Sequence, residues 1–408
     1  MTQRLEALPL AVIGGGIVGC ALALALDHAG VPVVLLDQGP APGPESDPRR
    51  GVALAPDVLA FLDGLGVEVP CTPYAHMTVW DHSGPAALHF SAAEVGLPRL
   101  GAMVENDRLR WALTQTLAAR AVPLRWGARV AQVRWPSLGS GPQLTLEDGE
   151  ALPVVLVCAA DGGHSPLRGL AGIGVEEEPM HQRAVVTAVV TERPHEATAW
   201  QRFLPTGPLA FLPLDDDAEG RHRCSVVWSA DEDRARALEA LDDDAFCAAL
   251  SEAFDYRLGK VLSAAPRAAF PLQQRHAERY AAPGLVLLGD AAHVVHPLAG
   301  QGVNLGLRDV MALVPALRTG LRQGTLGDPA NFAAYERQRR RDNALMLRAF
   351  SALKRGFAPP SGPTAWLRQQ GLGFLDHQPT LRRRFMAQAL GLAPEAGAGK
   401  PETLGVSP

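Results

Sequence analysis

The chain has 408 residues, 47% of them hydrophobic and 20% charged. That composition suits about two or three globular domains and excludes a wholly disordered, collagen-like or coiled-coil protein. Thirty-eight basic against 43 acidic residues leave a formal net charge of −5, so a broad nucleic-acid-binding surface is not expected.

Five scattered cysteines without a CxxC pair point to reduced thiols in a cytosolic protein rather than to disulfides or zinc. No apolar run approaches the ~18 residues that span a bilayer. The N-terminus carries no signal-peptide pattern, so the expected location is the cytoplasm.

Taken in chain order, residues 8–13 form an apolar run that ends in Gly14-Gly15-Gly16-Ile17-Val18-Gly19. A helical pattern follows, then a second apolar run over 31–36 that closes on Asp37. This is one βαβ unit. Gly14 permits the tight turn, Gly16 lets backbone approach a pyrophosphate, and Gly19 lets helix lie close on strand. Asp37 is placed to accept hydrogen bonds from a ribose. An acid there disfavours a 2′-phosphate, so the tightly held nucleotide is expected to be FAD or NAD rather than NADP.

Residues 38–50 are rich in proline and glycine and read as a loop, and 51–66 read as a helix. The stretch 71–99 is mixed. Residues 106–120 are helical, 128–135 and 143–146 are strand-like, and 152–160 read as one buried strand. Asp161-Gly162-Gly163-His164-Ser165-Pro166-Leu167-Arg168 follows directly. By itself it is a turn with Ser165 as an N-cap.

From about 176 to 280, alternating strands such as 184–190 and 225–228 are separated by acidic turns, as in a mostly antiparallel sheet. The acidic runs 176–178, 215–217, 231–233 and 242–244 read as solvated turns, because their spacing does not follow a calcium loop. Residues 283–290 form another apolar strand. Beyond it runs Gly289-Asp290-Ala291-Ala292-His293, then His296-Pro297, then Gly300-Gln301-Gly302 and Asn304, opening a helix from about 302.

The helix N-terminus there can face an electron-rich ring oxygen. His293 and His296 read as structural rather than metal-ligating, and no metal is expected. Two phosphate or sugar sites so far apart in sequence suit one long ligand lying across the sheet.

Together these three blocks resemble the class A flavoprotein monooxygenases, through GxGxxG, DGxxSxxR and GDAAHxxxPxxGQGxN. The block HPLAGQGVNLGLRD is similar to the signature of the ubiquinone-biosynthesis hydroxylases. The likeness runs over about residues 8–392. It is strongest to the 2-polyprenyl-3-methyl-6-methoxy-1,4-benzoquinol hydroxylases, through stretches such as VENDRLRWAL and RAAFPLQQRHAERY.

The resemblance implies an α/β fold, with a Rossmann-like FAD-binding domain of the para-hydroxybenzoate hydroxylase kind, an antiparallel substrate domain and C-terminal helices. Residues 1–70, 100–175 and 281–330 are assigned to the FAD domain, 71–99 and 176–280 to the substrate domain. Residues 331–392 are assigned to C-terminal helices and 393–408 to a disordered tail.

It further implies that Gly14, Gly15, Gly16 and Gly19 hold the FAD pyrophosphate and that Asp37, often Glu in the family, holds the adenosine ribose. Arg50 matches an arginine that contacts FAD, with Arg49 the alternative. Asn106 stands where relatives often have Arg or Gln against the ribityl chain. Asp161 and Arg168 belong to a motif linked to FAD and NAD(P)H. Gly289 and Asp290 fall at the ribityl or pyrophosphate region. Pro297, Gly300, Gln301, Gly302 and Asn304 lie against the isoalloxazine ring. The catalytic candidates are His296, as a proton handler, with Pro297 and Gln301.

No second dinucleotide fingerprint exists, so NADPH or NADH is expected to bind transiently. The resemblance implies that reduced flavin would then take up O2 at its C4a carbon and hydroxylate a polyprenylated phenol or quinol. Hydroxylation at another ring position of the ubiquinone pathway, a small soluble phenol as substrate, and a flavin-binding assembly subunit without turnover are the alternatives. Arg337, Arg339–Arg341, Arg348 and Arg382–Arg384 read as a solvated helix face. The alternative is contact with the inner membrane surface or with other ubiquinone-biosynthesis proteins, helped by Trp366, Leu367, Leu372, Phe374 and Leu375.

Overall fold

The computed structural model describes residues 8–45, 51–82, 84, 86–136, 141–294, 301–356 and 378. Its helices are α1 (Ile17–His28), α2 (Pro56–Gly64), α3 (Asn106–Ala119), α4 (Pro166–Leu170), α5 (Glu232–Ala240), α6 (Asp243–Ala253), α7 (Gln301–Gln323) and α8 (Ala333–Gly356).

Six strands form the first sheet, in the order Ala281–Ala282, Leu285–Leu287, Leu156–Ala159, Leu10–Ile13, Val33–Asp37, Leu124–Trp126. All pairings are parallel except the outermost one, between Ala281–Ala282 and Leu285–Leu287. The strand Leu10–Ile13 is buried at every position, as expected of a parallel strand covered on both faces. Helix α1 has eight consecutive buried residues, Gly19 through Leu26, so it is apolar all round and lies inside the protein. It packs against α3 and α7.

The second sheet has nine strands and is mostly antiparallel. Its order is His293–Val294, Ala268–Ala277, Val175–Thr191, His222–Asp231, Gly207–Leu214, Thr198–Leu204, His76–Asp81, Ala87–Ser91, with Val261–Ala264 also pairing on Val175–Thr191. Helices α5 and α6 cover one face. Leu238, Phe246 and Leu250 from these helices meet Phe211, Val226 and Trp228 of the sheet in one buried cluster. Truncating the fully buried Leu238 to alanine is expected to cost about 3 kcal/mol of stability. Urea unfolding reads this as a lower midpoint, and an unchanged midpoint would mean that α5 is not seated as described.

Several sequence expectations change in detail. Residues 51–66 are not one helix: Gly51–Leu54 is a strand paired with Gly101–Glu105, and α2 begins at Pro56. Proline fits the first helical turn but restricts the residue before it to extended backbone, and Ala55 is extended. The apolar stretch 152–160 divides into Ala151–Pro153, in a three-stranded sheet, and Leu156–Ala159, in the parallel sheet. Glu176–Glu178 lie within the strand Val175–Thr191 rather than in a turn, and Glu177 pairs with Arg275 at 3.2 Å. Among the described residues, no helix is long and apolar enough to cross a membrane.

Candidate active site

Three parallel strands that are neighbours in the first sheet end in the three sequence motifs. Leu10–Ile13 runs into Gly14, Leu156–Ala159 into Asp161, and Leu285–Leu287 into Gly289 and Asp290. A fourth neighbour, Val33–Asp37, ends on Asp37. Strands stand ~4.8 Å apart, so this edge offers polar groups over about 14 Å. It includes the point where the chain reverses direction across the sheet, from the first strand outward to Val33–Asp37 and later back to Leu156–Ala159. Open α/β sheets bind ligands at such a switch point.

The glycine turn divides its duties. Gly14 has φ +111° and no room for a Cβ against the Ala160 carbonyl, so it must be glycine for the turn itself. Gly19 brings α1 against the Gly14 carbonyl, where a Cβ would overlap that oxygen. At Gly15 a Cβ would meet the Trp126 ring. Gly16 differs: it is exposed, and a Cβ there meets nothing within 4 Å. Gly16 also caps α1 without a side-chain hydrogen bond, and the first turn holds no acid. The orphan N–H groups and positive end of α1 are therefore open to an anion.

Asp37 accepts from Gly15 N at 2.5 Å and from Gly39 N at 2.7 Å, which holds its carboxylate beside the glycine turn. Arg110 Nε donates to Gly15 O at 2.6 Å while its guanidinium lies 5.5 Å from the Trp126 ring centroid. Sequence reasoning missed Arg110 and Trp126. One lies on a helix and the other on a strand far along the chain, and no spacing links them to the turn.

In the second motif Ser165 caps α4 by accepting from Arg168 N. Asp161 Oδ2 accepts from Leu167 N at 3.2 Å, and its Oδ1 is buried without a partner. Burial pushes the Asp161 carboxyl up, against the pull of Ser165, Leu167 and Arg168. Arg168 does not reach outward. It is buried, and it donates to Gly163 O at 3.0 Å and to Ala291 O at 2.8 Å, bracing the second motif on the third. Arg275, also missed from sequence, adds a second donor to Gly163 O.

In the third motif, Asp290 is open to solvent yet crowded by protein, and this desolvation pushes its carboxyl up while His293 pulls it down. Asn106 begins α3 and keeps a buried, unpartnered Oδ1. Gly302 lies in the first turn of α7 with no atom within 4 Å of a Cβ, and only the backbone of Gln301 is described there. Asn304 is held within the protein. It is fully buried, its Oδ1 accepts from Ala55 N at 2.8 Å, and its Nδ2 donates to Ala53 O at 2.7 Å. Asn304 thereby clasps α7 to the strand Gly51–Leu54 and to the residue that follows it. Arg50, His296, Pro297 and Gly300 lie outside the described residues, as do Arg382–Arg384 and the apolar residues at 366–375.

His293 makes the structural contact expected of it, 2.6 Å from Asp309 Oδ2. Arg339 is the larger correction: it is buried against Asp309 rather than on a solvated or membrane-facing surface. Among the described residues no group of His, Cys, Asp and Glu could hold a metal ion.

A family model described as an FAD binding domain matches residues 7–349. The chain belongs to that family. The 3-demethoxyubiquinol 3-hydroxylase of Escherichia coli strain K12 is 38% identical over 394 residues, covering 94% of this chain and 98% of the relative. Ubiquinone hydroxylase UbiL of Rhodospirillum rubrum is 39% identical over 400 residues, covering 94% and 90%. These relatives place the flavoprotein among the ubiquinone-biosynthesis hydroxylases.

PqsL of Pseudomonas aeruginosa, solved with 2-aminobenzoylacetate, superposes with a TM-score of 0.75 at 23% identity, covering 90% of this chain and 99% of PqsL. The p-nitrophenol 4-monooxygenase PnpA of Pseudomonas putida DLL-E4 gives 0.74 at 20% identity, covering 94% and 98%. These solved structures share the fold, that of the para-hydroxybenzoate hydroxylase-like flavin monooxygenases.

The residues present fit FAD. The open side of Gly16, the uncapped α1 N-terminus and the unpartnered oxygens of Asn106 and Asp161 are features that no described residue satisfies.

Proposed function

We propose that this flavoprotein uses NAD(P)H and O2 to hydroxylate the aromatic ring of a polyprenylated ubiquinone precursor, at the methoxy-methyl-benzoquinol step. The observation that carries the reading is the match over nearly the whole length of a 3-demethoxyubiquinol 3-hydroxylase. The meeting of three motifs on one sheet edge supports it independently.

FAD supplies the redox and oxygen chemistry when bound. The chain's own residues bind and orient. Backbone N–H groups at Gly16 and the start of α1 would take the pyrophosphate and Asp37 the ribose, and Asp290, Asp161 and Asn106 would offer hydrogen-bond acceptors along the sheet edge. Gly302 and the start of α7 would supply N–H groups and a positive helix end to the flavin. His296, Pro297 and Gln301 complete the ring side, with His296 handling a proton.

In this reading residues 1–70, 100–175 and 281–330 form the FAD lobe, and 71–99 with 176–280 form the substrate lobe. The latter shields the reacting ring from water, which would otherwise drain the oxidising equivalent. A polyprenylated substrate resides in the bilayer, so the enzyme works from the cytoplasmic side, at the membrane surface or with partners that hand over lipid.

The test is quinone-lipid mass spectrometry on a strain lacking the gene. The expected result is accumulation of a precursor short of one ring oxygen, cleared by the wild-type gene but not by Asp290→Ala. Unchanged ubiquinone in a strain without another ring hydroxylase would overturn the proposal. A precursor lacking a different ring oxygen would keep the enzyme class and move the ring position.

A further inference from the structure

The segment that carries Asp290 is pinned from behind by one buried carboxylate. Asp309, on α7, has no accessible surface. Its Oδ2 accepts from Gly289 N at 2.8 Å and stands 2.6 Å from His293 Nε2, so a single oxygen grips both ends of the turn around Asp290. Its Oδ1 accepts from Arg339 Nε at 2.6 Å. Burial would push this carboxyl up, but His293 and Arg339 outweigh it and hold it below the usual carboxylate range.

Arg339 comes from α8 and is itself buried. Its remaining donors reach Asp342 at 3.0 Å, Leu305 O at 3.3 Å and Asn343 Oδ1 at 3.4 Å. Asn343 passes the network on to the Tyr280 hydroxyl at 3.1 Å, and that hydroxyl lies 2.8 Å from His276 Nε2.

The turn is then locked on its other sides. Arg168 holds Ala291 O, and His293 pairs in register with His276 of the second sheet. Gly289 and Gly306 both lie against Val18 of α1, where Cβ atoms would come within 3.2 and 2.6 Å of its methyl groups. Asp290 is the side chain of this turn left facing solvent.

We propose that Asp309 and Arg339 are positioning residues for the flavin. Asp309 sets the backbone that presents Asp290, and Arg339 makes the helix α8 part of the cofactor site although it touches no ligand. The inference rests on the FAD reading. Its physical basis is that a carboxylate buried between a backbone N–H, an imidazole and a guanidinium has one low-energy arrangement. Removing the guanidinium leaves that charge uncompensated and frees the turn.

The test titrates apoprotein with FAD by flavin fluorescence, records the visible spectrum of the bound flavin, and measures apoprotein melting. Wild type is compared with Arg339→Met, Arg339→Lys, Asp309→Asn, His293→Gln and the distant core variant Leu238→Ala.

Arg339→Met and Asp309→Asn are expected to weaken FAD binding by about tenfold or more, with Arg339→Lys recovering most of the loss. His293→Gln keeps the Asp309–Arg339 pair, so it tests the idea even where the harsher variants fail to fold, and it is expected to weaken binding about threefold or more. Leu238→Ala lowers the melting temperature but leaves FAD affinity within about twofold, because distant sites act independently.

Unchanged affinity in the folded Asp309, Arg339 or His293 variants overturns the inference. So does an equal loss in Leu238→Ala, which would make the effect one of general stability. Wild-type apoprotein that takes up no FAD is a different result, removing the flavin reading and this inference with it.

Discussion

Asp290→Ala is expected to yield a folded protein that binds FAD much more weakly. Asp290 stands just past the end of the parallel strand Leu285–Leu287, in the short turn Gly289–Ala291, and its side chain is open to solvent. Truncation therefore opens no core cavity, and the apoprotein melting temperature should hold. What is lost is a carboxyl acceptor that the protein crowds and that has no hydrogen-bond partner among the described residues. Hydrogen bonds to charged groups contribute about 1.5–3 kcal/mol, so FAD affinity should fall about tenfold to a hundredfold. Equilibrium dialysis with FAD reads the loss directly. Retention at wild-type affinity would remove Asp290 from the cofactor site and leave its upward-shifted carboxyl without a use.

A larger effect is expected from Gly19→Ala, and the contrast with Gly16→Ala is the informative part. A methyl group at position 19 overlaps the Gly14 carbonyl oxygen and comes 3.4 Å from the Ala160 Cβ. Backbone lies on the far side of that contact, so α1 must move away from the strand turn. Overpacking of this kind costs about 3 kcal/mol. Displacing the helix also carries its N-terminal N–H groups away from the phosphate position, so stability and FAD binding should fall together.

Gly16→Ala meets nothing within 4 Å, and Gly16 has φ −76°, which alanine adopts freely. It should melt like wild type while binding FAD at least about tenfold more weakly, because the pyrophosphate is proposed to lie against that open side. Calorimetric melting of both apoproteins beside their FAD titrations checks the pair. Parallel behaviour of the two variants would refute this division of duties within the turn.

Much of the site was legible because its chemistry is local in sequence. A glycine turn between an apolar strand and a helix, an acid at the end of the next strand, and two later strand-to-turn blocks each announce a strand terminus. The turn at Gly14 and the close approach at Gly19 rest on the chain's own stereochemistry: Gly14 takes φ +111°, and a Cβ at Gly19 would overlap the Gly14 carbonyl. The reading of 51–66 as one helix failed because its residues suit either element. Pairing with Gly101–Glu105, some 50 residues away, is what draws Gly51–Leu54 into a strand. The arginine-rich stretch misled in the same way. Composition places Arg339 among exposed neighbours, whereas Asp309 on another helix takes it into the interior. Asn304, Arg168 and Arg275 similarly face backbone carbonyls or amides whose positions no spacing reveals.

The sequence by itself determined the βαβ start and its nucleotide-binding glycine turn through short-range rules of turn stereochemistry, helix N-termini and strand periodicity, and the likeness of its three motif blocks to known flavoproteins implied the family and FAD. Only the tertiary structure decided which polar groups remain free for a ligand. Asp290 stays open and the Asn106 and Asp161 oxygens stay unpartnered, while Asn304, Arg168, Asp309 and Arg339 are engaged by the protein. Each of those outcomes turns on whether a partner tens to hundreds of residues away arrives within ~3 Å, and hydrogen bonding at that range is settled only when the sheets and helices have packed.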